Sequence, residues 1–240
     1  MGKRFVLQAC IFILLAQSAQ SQVIISLLFG DKLNSGKIEF GLDGGVNFSS
    51  LSGNPGSNVR TGFNLGFYFD IRSGGNWMIH TGVIVKSTMG ARGISPYGLN
   101  DYTLDSIFKT GEVERNLGYF NVPVELKYVF PNHLYLEGGF MMGLMISAHD
   151  EFQQTVISSN DLTYTINIRD HLHRFDLGPI AGLGYRLMSG NGLNLGIRYY
   201  YGLLNVSADN MYAAQYNRSL YVVIGIPVGA GKAKKKAEGS

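Results

Sequence analysis

From Phe120 to Tyr128 the chain alternates apolar and polar positions. Phe120, Val122, Val124, Leu126 and Tyr128 fall on one side; Asn121, Glu125 and Lys127 fall on the other. Side chains alternate across a β-strand with a period of two, so this strand has one greasy face and one charged face. The same pattern predicts strands near residues 38–49, 60–71, 77–91, 117–130, 134–148, 172–187, 193–203 and 218–228. The connections between them alternate in length. Residues 72–76, 131–133 and 189–192 read as tight turns, while 50–59, 92–116, 149–171 and 205–217 read as longer loops. Short turns on one side and long loops on the other, with apolar positions outward and polar ones inward, predict an all-β, eight-stranded antiparallel up-and-down transmembrane β-barrel. A soluble lipocalin-like barrel would place the polar positions outside.

The beginning of the chain supports export. Lys3 and Arg4 precede the apolar run 5–16, and Ala19-Gln20-Ser21 is a small-x-small cleavage site, so residues 1–21 read as a signal peptide. The run is short for a membrane helix, which needs about 20 apolar residues. Residues 22–37 are expected to form an N-terminal segment with a short helix, 38–228 the barrel, and 229–240 a basic flexible tail. Cys10 is the only cysteine and lies within the signal, so no disulfide or thiolate metal site is expected after cleavage. Glycine is frequent (32 residues), proline scarce (6), and Tyr and Phe number fourteen each; 15% of residues are charged. A net charge of +3 gives no reason to expect nucleic acid as a partner.

Eight strands leave an interior that side chains can fill. The strand pattern places Glu39, Asp43, Asp70, Glu125, Glu137 and Asp176 inside, opposite Lys86, Lys127, Arg174, Arg186 and Arg198. Buried charges are tolerated when paired, so this set is expected to form a salt-bridge plug in the lumen; a narrow polar pathway or an internal ligand site is the alternative. Gly138, Gly139, Gly178, Gly182, Gly184 and Gly196 lie within strands and are expected to relieve crowding there. His149, His171 and His173, with Asp150, Glu151, Asp161 and Asp170, flank one long loop. His171-x-His173 would share a strand face, where two imidazoles could hold a metal. No serine stands in a nucleophile setting, and the expectation is no catalytic, cofactor or metal site. Asp105-Ser106-Ile107 resembles a short O-glycosylation signal of Bacteroidota.

Together the strands resemble the PorT-like outer-membrane β-barrel family of Bacteroidota over about residues 38–228. The resemblance rests on the runs 40–49 (FGLDGGVNFS), 119–128 (YFNVPVELKY), 134–139 (LYLEGG) and 182–187 (GLGYRL), and on Tyr199-Tyr200-Tyr201-Gly202-Leu203 with Asn205. It implies an outer-membrane location; the even strand count and the alternation of short turns with long loops predict both termini in the periplasm and the long loops outside. The function expected is a non-enzymatic structural or interaction role, accessory to a secretion or envelope-assembly complex, with outer-membrane lipid and an envelope protein as partners; the resemblance alone implies a complex of the type IX secretion kind. A small pore or ligand-binding barrel, and a lipid-modifying enzyme, are the alternatives.

Overall fold

The computed structural model of the protein describes residues 35, 37–54, 56–156, 162–187, 192–208 and 214–228. The signal peptide, all but two residues of the N-terminal segment, and the basic tail lie outside the described residues. Among the described residues nine strands form: β1 (Ile38–Ser52), β2 (Arg60–Gly74), β3 (Trp77–Ile94), β4 (Glu112–Val129), β5 (Leu134–Gln154), β6 (Leu162–Asn167), β7 (Phe175–Arg186), β8 (Asn194–Tyr201) and β9 (Tyr216–Pro227). One short helix, α1 (Tyr102–Phe108), lies between β3 and β4.

Eight of the strands close a ring. The order β4-β3-β2-β1-β9-β8-β7-β5 is completed by pairing of β4 with β5, and every neighbouring pair is antiparallel. Closure leaves no unpaired edge, which is the condition for spanning lipid with strands. β6 stands outside the ring as an extension that pairs with the far end of β5.

Burial runs inside-out relative to a soluble domain. Leu136, Phe140, Leu144 and Leu183 are 52–58% exposed, whereas Asp70, Asn121, Glu125 and Lys127 are at most 1% exposed. Apolar side chains facing out and charges facing in are what a hydrocarbon surround selects. Aromatic rings gather where the tight turns lie: Trp77 meets Tyr128 at 4.8 Å between centroids, and Tyr128 meets Phe130 at 4.9 Å. Such rings suit the lipid–water boundary. No helix among the described residues is long and apolar enough to cross a membrane; the crossing is made by strands.

The belt ends before the strands do. Outward residues on β5 are apolar up to Ile146; beyond it, His149, Glu151 and Gln153 alternate with the buried Ala148, Asp150 and Phe152. On β4 the outward residues change from Phe120 to Asn116, Glu114 and Glu112, while Leu117 and Val113 stay fully buried. Above the belt the barrel therefore resembles a soluble domain, polar outside and apolar inside.

That change corrects two expected loops. Residues 92–116 are not one polar loop: β3 runs on to Ile94, α1 forms, and β4 begins at Glu112. Residues 149–171 are not a loop either, because β5 continues to Gln154 and pairs with β6.

Candidate functional site

The inner half of the lumen is built around Arg198 on β8. Its Nε donates to Glu137 Oε1 at 2.6 Å, its Nη1 to Asp43 Oδ2 at 2.8 Å and its Nη2 to His80 Nε2 at 3.0 Å. Glu125 lies at 3.9 Å from Nε, and neither of its oxygens has a hydrogen bond among the described residues. Because His80 Nε2 accepts from Arg198, the ring proton sits on Nδ1 and is donated to Asp70 Oδ1 at 2.6 Å. Lys127 completes the cluster, with Nζ at 3.1 Å from Asp70 Oδ2, at 3.4 Å from Glu137 Oε2 and over the Tyr135 ring at 4.4 Å. Nearer the tight turns, Arg186 donates through Nη2 to both oxygens of Glu39, at 2.5 and 2.6 Å.

Regular alternation explains why these groups meet. Residue 80 on β3 pairs with 70 on β2 and 125 on β4, and 137 on β5 pairs with 127 on β4 and 182 on β7. Odd or even positions held in phase across neighbouring strands converge on the axis. Glycines make the room: a Cβ at Gly41 would strike the Tyr68 ring, and one at Gly184 or Gly196 would strike the Tyr135 hydroxyl. The gap among Asp43, Tyr68, His80, Lys127 and Arg198 holds no room for a water molecule. Further along the axis Tyr119, Tyr200, Tyr221, Met141 and Met145 are fully buried and fill the bore.

Two of the expected lumen residues lie elsewhere. Lys86 points outward, because the register with both neighbours shifts between Ile84 and Ser87, so Val85 and Lys86 both face out and Ser87 turns in. A β-bulge of this kind reverses the alternation beyond it. Arg174 sits in the bend before β7, with its side chain 57% exposed and 3.7 Å from the exposed Asp170. The remaining nine are inside. Asp176, on β7, accepts from Asn217 Nδ2 at 2.8 Å, apart from the Arg198 cluster. With both of those cations outside, the acids of the lumen outnumber the bases, rather than balancing them as the sequence pattern implied.

The histidines do not converge. His149 lies on β5 opposite Asn167; His171 sits in a 3-10 turn (Arg169–His171) and borders a cavity; His173 borders a separate groove with Arg174 and Phe175. Asp161 lies outside the described residues. Asp150 turns inward and is taken by Arg115 and Tyr97. Among the described residues no group of three or more His, Cys, Asp or Glu could hold a metal ion. Ser106 of the Asp105-Ser106-Ile107 run lies exposed on α1.

The sequence pattern missed a second site, at the far end of the barrel. A cavity of about 570 Å³ opens there, bounded by Tyr97, Leu99, Arg115, Tyr164, Ile166 and Leu172, among others. Its floor is a salt bridge: Arg115 Nε and Nη2 reach Asp150 at 2.8 and 2.6 Å, and Nη1 donates to Gln215 at 3.1 Å. Tyr97 donates its hydroxyl to the same carboxylate at 2.7 Å. Burial alone would lower the Arg115 guanidinium, yet the Asp150 carboxylate holds it above its ordinary value. Val113-Glu114-Arg115 read as loop because the polar-outside pattern above the belt is the reverse of that below it. The alternation Glu112, Glu114 against Val113, Arg115 was the available signal.

Comparison with solved structures finds small outer-membrane barrels. The attachment invasion locus protein Ail of Yersinia pestis is 13% identical, with 80% of this chain covering 99% of that one at a TM-score of 0.40. Neisserial surface protein A is 14% identical (79% and 96% covered, TM-score 0.39), and OprG of Pseudomonas aeruginosa is 12% identical (81% and 95% covered, TM-score 0.35). Nothing about function passes from likenesses of this order. No curated protein matches the chain. A family model, however, matches residues 16–208, and with the closed ring and its inverted burial it makes the chain a member of the outer membrane protein beta-barrel domain family.

Proposed function

We propose that this outer-membrane protein is a non-enzymatic barrel that acts by interaction, through the built-up end of the barrel rather than through its bore. The observation that carries this reading is the packed lumen. Arg198 is bonded on three sides, and no water fits beside it. A conducting pore would need a continuous hydrated path, and acids packed in contact with Arg198 and Lys127 oppose one. The end bearing the longer connections faces outward and the two chain ends lie toward the periplasm, following the pattern of short periplasmic turns in bacterial barrels. Dispersal of the histidines supports a role without chemistry, since a nucleophile needs a base within hydrogen-bond reach. The PorT-like resemblance of the strands supports an accessory place in a secretion or envelope-assembly complex.

Purification from native outer membranes in mild detergent, followed by mass spectrometry, tests this. A stoichiometric envelope partner is expected. A barrel that purifies alone, and whose deletion changes the lipid A mass spectrum, would overturn it. A second reading, a ligand-binding barrel, is favoured by the cavity of about 570 Å³ at the outward end.

A further inference from the structure

We infer that the cavity above Arg115 is a binding site for an uncharged saccharide of one or two rings. The inference rests on the proposed outward orientation only for where the ligand comes from; the site itself is a matter of geometry.

The cavity is preformed. Its walls are tied to β5 at two points and to one another at several more. The segment carrying Tyr97 and Leu99 is held by the Tyr97 hydroxyl on Asp150 and by Leu99 N donating to Asp105 Oδ1 at 2.7 Å. Asp101 caps α1 through Thr103 N and Leu104 N, at 2.9 and 3.1 Å. Opposite, Ile168 N donates to Ala148 O at 3.1 Å, Leu172 bridges to Ser207, and Ala208 N donates to His171 O at 3.0 Å. A fixed cavity binds without an ordering cost, and its volume lies in the range of small-ligand sites.

The lining selects the ligand class. Tyr97 and Tyr164 bring aromatic rings, with Leu99, Ile166 and Leu172 between them. Asn100, Asn167, His171 and Ser207 bring amide, imidazole and hydroxyl groups to the same space. A pyranose has apolar C–H faces and a rim of hydroxyls, and this mixture meets both. Among the described lining residues the one permanent charge, Arg115, is already engaged by Asp150 and Gln215 at all three of its nitrogens. An anionic ligand would find no other permanent cation among the described lining residues, and burying an unpaired charge is costly. Asn100 adopts φ 59°, a left-handed conformation at the rim that Asn tolerates better than most residues.

The test is saturation-transfer NMR on the purified full-length barrel in detergent micelles, with sucrose, maltose, lactose and cellobiose as probes and glucuronic acid and toluene as contrasts. At least one neutral disaccharide is expected to bind. Tyr164→Ala and Asn100→Gly are each expected to weaken it by about tenfold. Both positions are exposed, and Gly keeps the Asn100 backbone, so folding is preserved; heat-modifiable migration on gels checks this. Leu183→Ala, on the lipid face, is expected to leave binding unchanged. Silence from all four disaccharides, equal or tighter binding of glucuronic acid or toluene, or insensitivity to both cavity variants would each overturn the inference. A Tyr164→Cys variant probed on intact cells with a membrane-impermeant maleimide tests the orientation separately. Sugar binding without labelling would sink the outward placement and leave the ligand class standing; labelling without sugar binding would do the reverse.

Discussion

Replacing Arg198 by Met should be the most damaging single change in the lumen, and more damaging than replacing Lys127 by Met. The two cations are both buried, at 3% and 1% exposure. They differ in what each leaves behind. Without Lys127, Asp70 keeps the His80 proton at 2.6 Å and Glu137 keeps Arg198 at 2.6 Å. Without Arg198, Asp43 and Glu125 have no ion-pair partner among the described residues, and Glu137 keeps only Lys127 at 3.4 Å. Stranding a buried charge costs about 3–5 kcal/mol. Losing a charge-assisted hydrogen bond while the acceptor keeps another partner costs about 1.5–3 kcal/mol. Urea unfolding of the barrel in lipid vesicles, followed by Trp77 fluorescence, should rank Arg198→Met below Lys127→Met by about 1–3 kcal/mol. Adding Asp43→Asn to Arg198→Met should recover part of the loss, since it removes one stranded charge. Equal destabilisation by the two Met variants, or no recovery in the double variant, would refute the hub assignment.

Three further outcomes are expected. Gly41→Leu drives a side chain into the Tyr68 ring and should lower unfolding stability by about 1–3 kcal/mol, whereas Gly75→Ala in the turn, where nothing lies near, should act only through its positive φ. Asp101→Ala removes the cap of α1 and should speed hydrogen exchange at Thr103 and Leu104, with a local loss of about 0.5–2 kcal/mol and no change in the barrel strands. The Arg115–Asp150 floor should be insensitive to mild alkali. The folded value of Arg115 is raised above the unfolded one, so its contribution is complete below the unfolded value and is lost only on passing the folded value. Exchange protection around Tyr97, corrected for intrinsic rate, should therefore stay flat between about pH 7 and pH 10; a fall in that window would contradict the assignment.

The barrel was legible because lipid on one side and packed polar groups on the other impose one alternation along every strand. Phe120–Tyr128 carries it without a break, and β8 reads correctly from Asn194 to Tyr201. Two local features escaped. The bulge at Val85 and Lys86 shifts the phase, and no residue there announces it in the sequence. Arg174 belongs to the correct parity but precedes the strand, so the bend and not the pleat sets its direction. The built-up end of the barrel was the larger omission. Above the belt the environment changes from hydrocarbon to water: on β4 the parity continues, with Val113 in and Glu114 out, while on β5 a register shift at Ile146 turns Ala148, Asp150 and Phe152 in and Glu151 out. A segment with polar residues outward reads as loop when lipid is assumed outside. The tyrosines were the other omission. Tyr68, Tyr119, Tyr135, Tyr200 and Tyr221 are all buried in the bore, but Tyr is equally at home at a lipid boundary, so its parity alone did not single it out.

The central claim is that the bore is closed by Arg198 and the acids around it. Single-channel recording of the purified barrel in planar lipid bilayers tests it most directly. The packed network predicts silence from the wild-type protein across the voltage range the bilayer withstands. A steady unitary conductance whose size or ion selectivity changes in Arg198→Met would show an open path along the axis and contradict the account.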